Sequence, residues 1–153
     1  VDGDSMTNTL KNNEIVLVSK LDYLFGDVQR NDIVICRYPN RMEKTYSLGA
    51  ALSFDVYTIF VKRVVALPGD TVEISGGTLY VNGQEVADPP KMGSVPQDYA
   101  LRQLGTDEYF VMGDNRRTSH DSRSKDVGPI SRDMIMGKVK CVLLPIGSWR
   151  GVE

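Results

Sequence analysis

Soft metal ligands are scarce in this 153-residue chain, which has two cysteines, Cys36 and Cys141, and a single histidine, His120. That set is too poor for a structural zinc site, and neither a metal nor a cofactor is expected. Long apolar runs are missing as well. None approaches the roughly 18 residues a helix needs to cross a bilayer, and no signal peptide is visible. The net charge is only −2 and no block of Lys or Arg stands out, so the chain carries no electrostatic footprint for nucleic acid. Long amphipathic helices and internal repeats are also absent.

What is present is turn chemistry between short β-branched runs. Fourteen glycines and seven prolines punctuate the chain, which predicts an all-β fold of mainly antiparallel sheets with one or two short helices. A chain of this length buries one good core, so residues 1–153 read as a single region. Strands are expected at Glu14–Val18, Asp32–Tyr38, Val56–Val65, Glu108–Met112 and Lys138–Leu144, each rich in β-branched and aromatic residues. Thr71–Ser75 and Thr78–Val81 flank Gly76-Gly77, which supplies the positive φ angles of a two-residue hairpin, and Asn82-Gly83 should turn the chain again. Ser131 is placed to cap one helical turn over Ser131–Met136. Asn40–Ala51 and the proline-bearing Asp88–Asp107 read as loops, the latter as a loosely ordered insert. Cys36 and Cys141 lie in apolar runs and read as buried thiols, with a disulfide outside the cytosol as the alternative.

Three segments carry chemistry. Ser5 stands in a small-residue turn, Gly3-Asp4-Ser5-Met6. A serine hydroxyl is a weak nucleophile until a base takes its proton, and such a turn could aim the Ser5 N–H at a developing oxyanion. Lys62 lies inside the strand TIFVKRVV, where alternation puts Phe60, Lys62 and Val64 on one face and Val61, Arg63 and Val65 on the other. A lysine on an apolar face either snorkels to water or is buried; burial would lower its pKa towards the range a general base needs. The third segment, Met112–Arg123, is dense in polar side chains. Asp114, Asn115, Ser119, Asp121 and Arg123 could brace one another there, with a bidentate Asp121–Arg123 pair. A Ser5–His120–Asp121 triad competes with a Ser5–Lys62 dyad, but adjacent His and Asp side chains rarely orient each other as a triad needs.

With these residues assembled, the chain resembles the type I signal peptidases, membrane-anchored serine proteases that remove signal peptides from exported proteins. The resemblance spans nearly the whole chain. It rests on Ser5-Met6-Thr7-Asn8-Thr9-Leu10, on Asn31-Asp32-Ile33-Val34, on Lys62-Arg63-Val64 leading to Pro68-Gly69-Asp70, and on Gly113-Asp114-Asn115-Arg116 followed by Ser119-His120-Asp121-Ser122-Arg123. It implies Ser5 as nucleophile and Lys62 as general base, Ser119 hydrogen-bonded to the Lys62 amine, an Asp121–Arg123 salt bridge behind it, and Asp114 and Asn115 in support. The implied fold is the signal-peptidase and repressor-protease type, with a core at 1–70 and 109–153 and a β insert over about 71–108. Two departures stand out: Asn8 replaces a family proline, and Gly3 stands where some members carry a serine that completes the oxyanion hole.

The resemblance also implies shallow pockets for small residues at the first and third positions before the cut, with Met6, Leu10, Phe60 and Val61 as their walls. Partners are then signal-peptide-bearing preproteins and the membrane lipid surface, without nucleic acid or metal. The catalytic region is expected on the extracytoplasmic face of the cell membrane, with one or more membrane-spanning helices just before Val1. Two other readings compete: a self-cleaving Ser/Lys repressor-type protease, which Gly113–Arg116 and the lack of a DNA-binding half disfavour, and a catalytically impaired or narrow-substrate factor acting as a chaperone in pilus assembly.

Overall fold

The computed structural model describes residues 1–7, 9–48, 52–86 and 95–152, with the backbone alone over 40–57. Its strands form two antiparallel sheets. The first contains β1 (Ile15–Ser19), β2 (Ile33–Leu48), β3 (Leu52–Ala66), β8 (Phe110–Met112), β9 (Ile135–Leu144) and β10 (Arg150–Gly151). Its order is β1-β9-β2-β3-β8, with β10 also on β9. The second, ordered β6-β5-β4-β7, contains β4 (Thr71–Ser75), β5 (Thr78–Val81), β6 (Gln84–Glu85) and β7 (Tyr99–Gln103). Among the described residues the helical content is one short turn, α1 (Asp22–Phe25), and a 3₁₀ turn at Arg132–Met134. The expected all-β architecture is therefore what forms. Among the described residues no helix is long and apolar enough to cross a membrane.

Period-two patterning explains the core. In β3, Val64 packs on one face of the sheet with Val34, Val111 and Ile130. On the other face, Met6 and Leu10 from the first turns of the chain close over Ile33, Ile35 and Val139. The second sheet buries one face as well: Val72 lies opposite Val81 and Ile74 opposite Leu79, all four buried with Phe110 and Met112. Gly76 and Gly77 take positive φ in the hairpin between β4 and β5, and Asn82 and Gly83 do the same in the next turn.

Several sequence expectations are corrected. Residues 40–48, expected as loop, continue β2 and pair with β3, for example Thr45 with Asp55; residues 49–51 lie outside the described residues. Register shifts between Arg37 and Lys44 break the alternation, which hid the strand. Within Asp88–Asp107, β7 adds to β4 as an edge strand; its residues are exposed apart from the half-buried Tyr99, so no apolar rhythm announced it, and residues 88–94 lie outside the described set. Ser131 does precede the 3₁₀ turn but caps no backbone N–H, because its hydroxyl turns to the Asp133 carboxylate. Cys36 is buried while Cys141 is only half-buried, and both are free thiols.

One close approach sets the β1–β9 packing. A Cβ on Gly137 would stand 2.7 Å from Val18 Cγ1 and 2.8 Å from the Ser19 carbonyl oxygen. Gly137→Ala is therefore expected to cost about 1–3 kcal/mol through overpacking and to lower the midpoint of thermal unfolding by several degrees. An unchanged midpoint in calorimetry would show that the strands part freely there.

Candidate active site

The turn carrying Ser5 is held from below and from the side. Met6 and Leu10 are 1% and 0% exposed, and Leu10 N–H donates to the Met6 carbonyl at 2.7 Å, so the apolar side chains anchor a compact turn. Gly3 takes φ of +90°, a conformation that costs any other residue strain; the departure at position 3 is thus also a backbone requirement. Asn8 lies outside the described residues. From the side, Asn115 N–H donates to the Ser5 carbonyl at 2.9 Å, and Asn115 Nδ2 donates to the Asp4 carbonyl at 3.1 Å. Gly113 makes this approach feasible: a Cβ there would stand 2.5 Å from the Ser5 carbonyl oxygen and 2.2 Å from Ser119 Oγ.

Lys62 reaches this turn from β3. Its Nζ donates to Ser5 Oγ at 2.8 Å and to the Val61 carbonyl at 2.9 Å, and it lies 5.2 Å from the centre of the Phe60 ring. Lys62 is 3% exposed. Burial, the largest influence, pushes the amine down to about 8 from an ordinary 10.5, with Arg123 acting in the same direction against Asp121, Cys36 and Asp114. Burial also holds the Cys36 thiol far above its usual range and so neutral, which leaves the carboxylates as the upward pull at neutral pH. A drop of this size raises the neutral fraction at pH 7 by about 300-fold. The neutral amine, at the same distance, can accept the Ser5 hydroxyl proton.

Two buried ion pairs frame the dyad. Asp121 receives Arg123 Nε and Nη2, both at 2.8 Å, together with the Gly113 N–H at 2.9 Å; burial opposes the charge, but these partners hold the carboxyl below its usual range. The expected Asp121–Arg123 pair is present in bidentate form. The second pair was not anticipated: Arg63 Nε and Nη2 donate to Asp114 at 2.9 and 2.8 Å, and the Thr9 hydroxyl donates to the same carboxylate. Its signal was available, since an arginine on the apolar face of a strand needs a carboxylate, and Asp114 had already been singled out.

Other expected contacts differ. The Ser119–Lys62 hydrogen bond is not formed. Ser119 Oγ is buried and makes no hydrogen bond of normal geometry, although it lies near enough to Asp121 to favour its ionised form. His120 is exposed and is held by Asp126 at 2.9 Å and Ser124 at 3.0 Å, not by Ser5, so the competing triad is not assembled. Met6 and Leu10 are core residues beneath the nucleophile, too buried to meet a peptide directly; Phe60 and Val61 are half-exposed on opposite faces of β3.

An all-β scaffold that presents a serine hydroxyl to a buried, weakly basic lysine amine has the layout of a hydrolase with a Ser/Lys dyad. Comparison with known proteins is more specific. The family model described as signal peptidase, peptidase S26, matches residues 1–144. Signal peptidase I S of Bacillus subtilis (strain 168) is 35% identical, over 98% of this chain and 78% of its own length. Signal peptidase I P of Bacillus subtilis subsp. natto is 36% identical, over 98% and 77%. The crystal structure of a signal peptidase I from Enterococcus faecalis V583 superposes with a TM-score of 0.54 at 27% identity, covering 77% of this chain and 97% of that one. The chain belongs to the signal peptidase family, peptidase S26, and within it to the type I serine proteases. Nothing in these comparisons supports the pilus chaperone.

The ion pair behind the dyad has a testable sign. In Asp121→Asn the Arg123 guanidinium stays and its carboxylate is lost, so the Lys62 amine should titrate below 8 while the fold loses about 3–5 kcal/mol. Labelled lysine side chains followed by NMR across pH read the first effect, and denaturant unfolding reads the second. An upward shift of the Lys62 midpoint would overturn this assignment of the charges.

Proposed function

We propose that the chain cleaves signal peptides from exported preproteins, with Ser5 as nucleophile and Lys62 as general base. The observation that carries this reading is the 2.8 Å contact between Lys62 Nζ and Ser5 Oγ, made where burial keeps the amine easy to deprotonate. The neutral amine takes the hydroxyl proton as Ser5 Oγ attacks the scissile carbonyl. The Ser5 N–H donates to the resulting oxyanion. Lys62 returns the proton to the leaving amine, and water, activated by the same amine, hydrolyses the acyl-enzyme. Asp121 and Arg123, and Arg63 with Asp114, position the two reacting segments.

An open strand edge favours an extended peptide. On the side of β3 away from β2, pairing with β8 begins only at Arg63, so among the described residues the stretch before it has no strand partner there. A substrate strand added to that edge would run its scissile bond past Ser5. Val61, packed over the buried Met6 and Leu10, would set small residues at the first and third positions before the cut.

A second element of the reading is a membrane surface. Ile15 and Leu144 face each other across β1 and β9. With Ile146 and Trp149, at 90% and 73% exposure, they leave an apolar edge in water that fits the headgroup region of a bilayer. The catalytic region would rest on the extracytoplasmic face, where exported proteins emerge.

Cleavage of a signal-peptide substrate in detergent or lipid tests the chemistry. Ser5→Ala and Lys62→Met should each lower kcat by more than about 1000-fold. Because the base is active only when neutral, the wild-type rate should fall as pH drops through about 8. Equal rates in wild type and Lys62→Met, or a flat profile from pH 9 to pH 6, would refute the dyad.

A further inference from the structure

Three aromatic rings run outward from the Lys62 amine along one face of the β2–β3 pair. The Phe60 ring centre lies 5.2 Å from Nζ. Tyr38 meets Phe60 edge to face at 5.4 Å and 62°, and His120 stacks on Tyr38 at 6.0 Å and 7°. Both aromatic contacts fall in the favourable range for ring pairs. The outer two rings are pinned by one carboxylate: Asp126 accepts from the Tyr38 hydroxyl at 3.3 Å and pairs with His120 Nε2 at 2.9 Å. Ser124 Oγ holds the other His120 nitrogen at 3.0 Å. These contacts tie the outer rings to one another within the protein, although His120 and Asp126 are both more than half exposed. Catalysis by Ser5 and Lys62 uses none of Tyr38, His120 or Asp126.

Alternation along a strand says what would reach this surface. Side chains directly opposite on adjacent strands share a face, and successive side chains change face. If the first and third residues before the cut point to the Val61 face of the open β3 edge, the second points to the Phe60 face. We infer that the Phe60–Tyr38–His120 stack is a subsite for the side chain two residues before the scissile bond, and that it selects large apolar or aromatic side chains there. This rests on the signal-peptidase reading and adds a specificity element to it. Rings already tied to one another carry less of the ordering cost of a mobile surface, so the preference should be visible in rate. His120 is the residue that makes the stack extend beyond the strand pair. It comes from the same polar segment that holds Ser119 and Asp121, so the segment that braces the dyad also contributes to the subsite.

The test uses peptides with Ala fixed at the first and third positions before the cut and Gly, Ala, Leu, Phe or Trp at the second. For the wild type, kcat/KM with Phe or Trp should exceed that with Gly by roughly three- to tenfold. In His120→Ala that ratio should fall by half or more, and His120→Phe, which keeps a ring in place, should restore it. His120 is exposed, so neither variant threatens the core. A ratio near one in the wild type, or one unchanged in His120→Ala, would overturn the subsite. A general slowing that leaves the ratio intact also counts against it. Ser5→Ala separates the two levels of the argument: cleavage that survives this substitution would sink the signal-peptidase reading itself, whereas Ser5-dependent cleavage with a flat second-position profile sinks only the subsite.

Discussion

The Lys62 ammonium is stripped of water and given no carboxylate of its own. Taking a cation out of water is costly unless a counter-charge compensates it. The two carboxylates whose charge acts on the amine, Asp121 and Asp114, are each committed in bidentate fashion to Arg123 and Arg63. Arg123 offsets part of the pull of Asp121, desolvation outweighs the attraction that remains, and the amine sheds its proton easily. The contacts to Ser5 Oγ and the Val61 carbonyl satisfy hydrogen bonds without supplying charge. Reactivity is thus built from burial and from the prior engagement of Asp121 and Asp114.

The rest of the fold serves that geometry. Strand β3 sends Lys62 and Arg63 to opposite faces, so Lys62 bonds the nucleophile Ser5 while Arg63 bonds the Gly113–Arg123 segment. Arg63 secures Asp114 at its start, while Lys62 lies near Asp121 further along. The same segment grips the nucleophile turn through Asn115, and Gly113 is small enough to let Ser5, Ser119 and its own backbone meet. The sheet fixes the amine, the core under Met6 and Leu10 fixes the hydroxyl, and the polar segment ties them together.

Much of this was legible beforehand, for unequal reasons. Strands such as Thr71–Ser75 and Thr78–Val81 follow from alternation and a Gly-Gly turn, both local signals. Ser5, Lys62 and the Asp121–Arg123 pair stood out from their local settings, and ordered short motifs that matched a known family gave them their roles. The extension of β2 beyond Pro39 did not emerge, since its polar residues pair through the backbone and register shifts disturb their rhythm. Strand β7 was hidden because an edge strand with exposed side chains has no apolar period. Met6 and Leu10 were assigned to a pocket by their place in a motif, yet burial is a property of the whole fold and places them under the site. The missing Ser119–Lys62 hydrogen bond and the His120 ring stack depend on side-chain directions that one sequence does not encode locally.

The central claim is that loss of the proton from buried Lys62 limits the reaction of Ser5. The direct measurement follows two quantities on the same samples across pH: the NMR titration of the Lys62 side chain and the single-turnover rate of Ser5 acylation. The account predicts that the two midpoints coincide near 8. An acylation midpoint separated from the Lys62 titration, or a Lys62 midpoint near 10.5 with acylation complete at neutral pH, would contradict it.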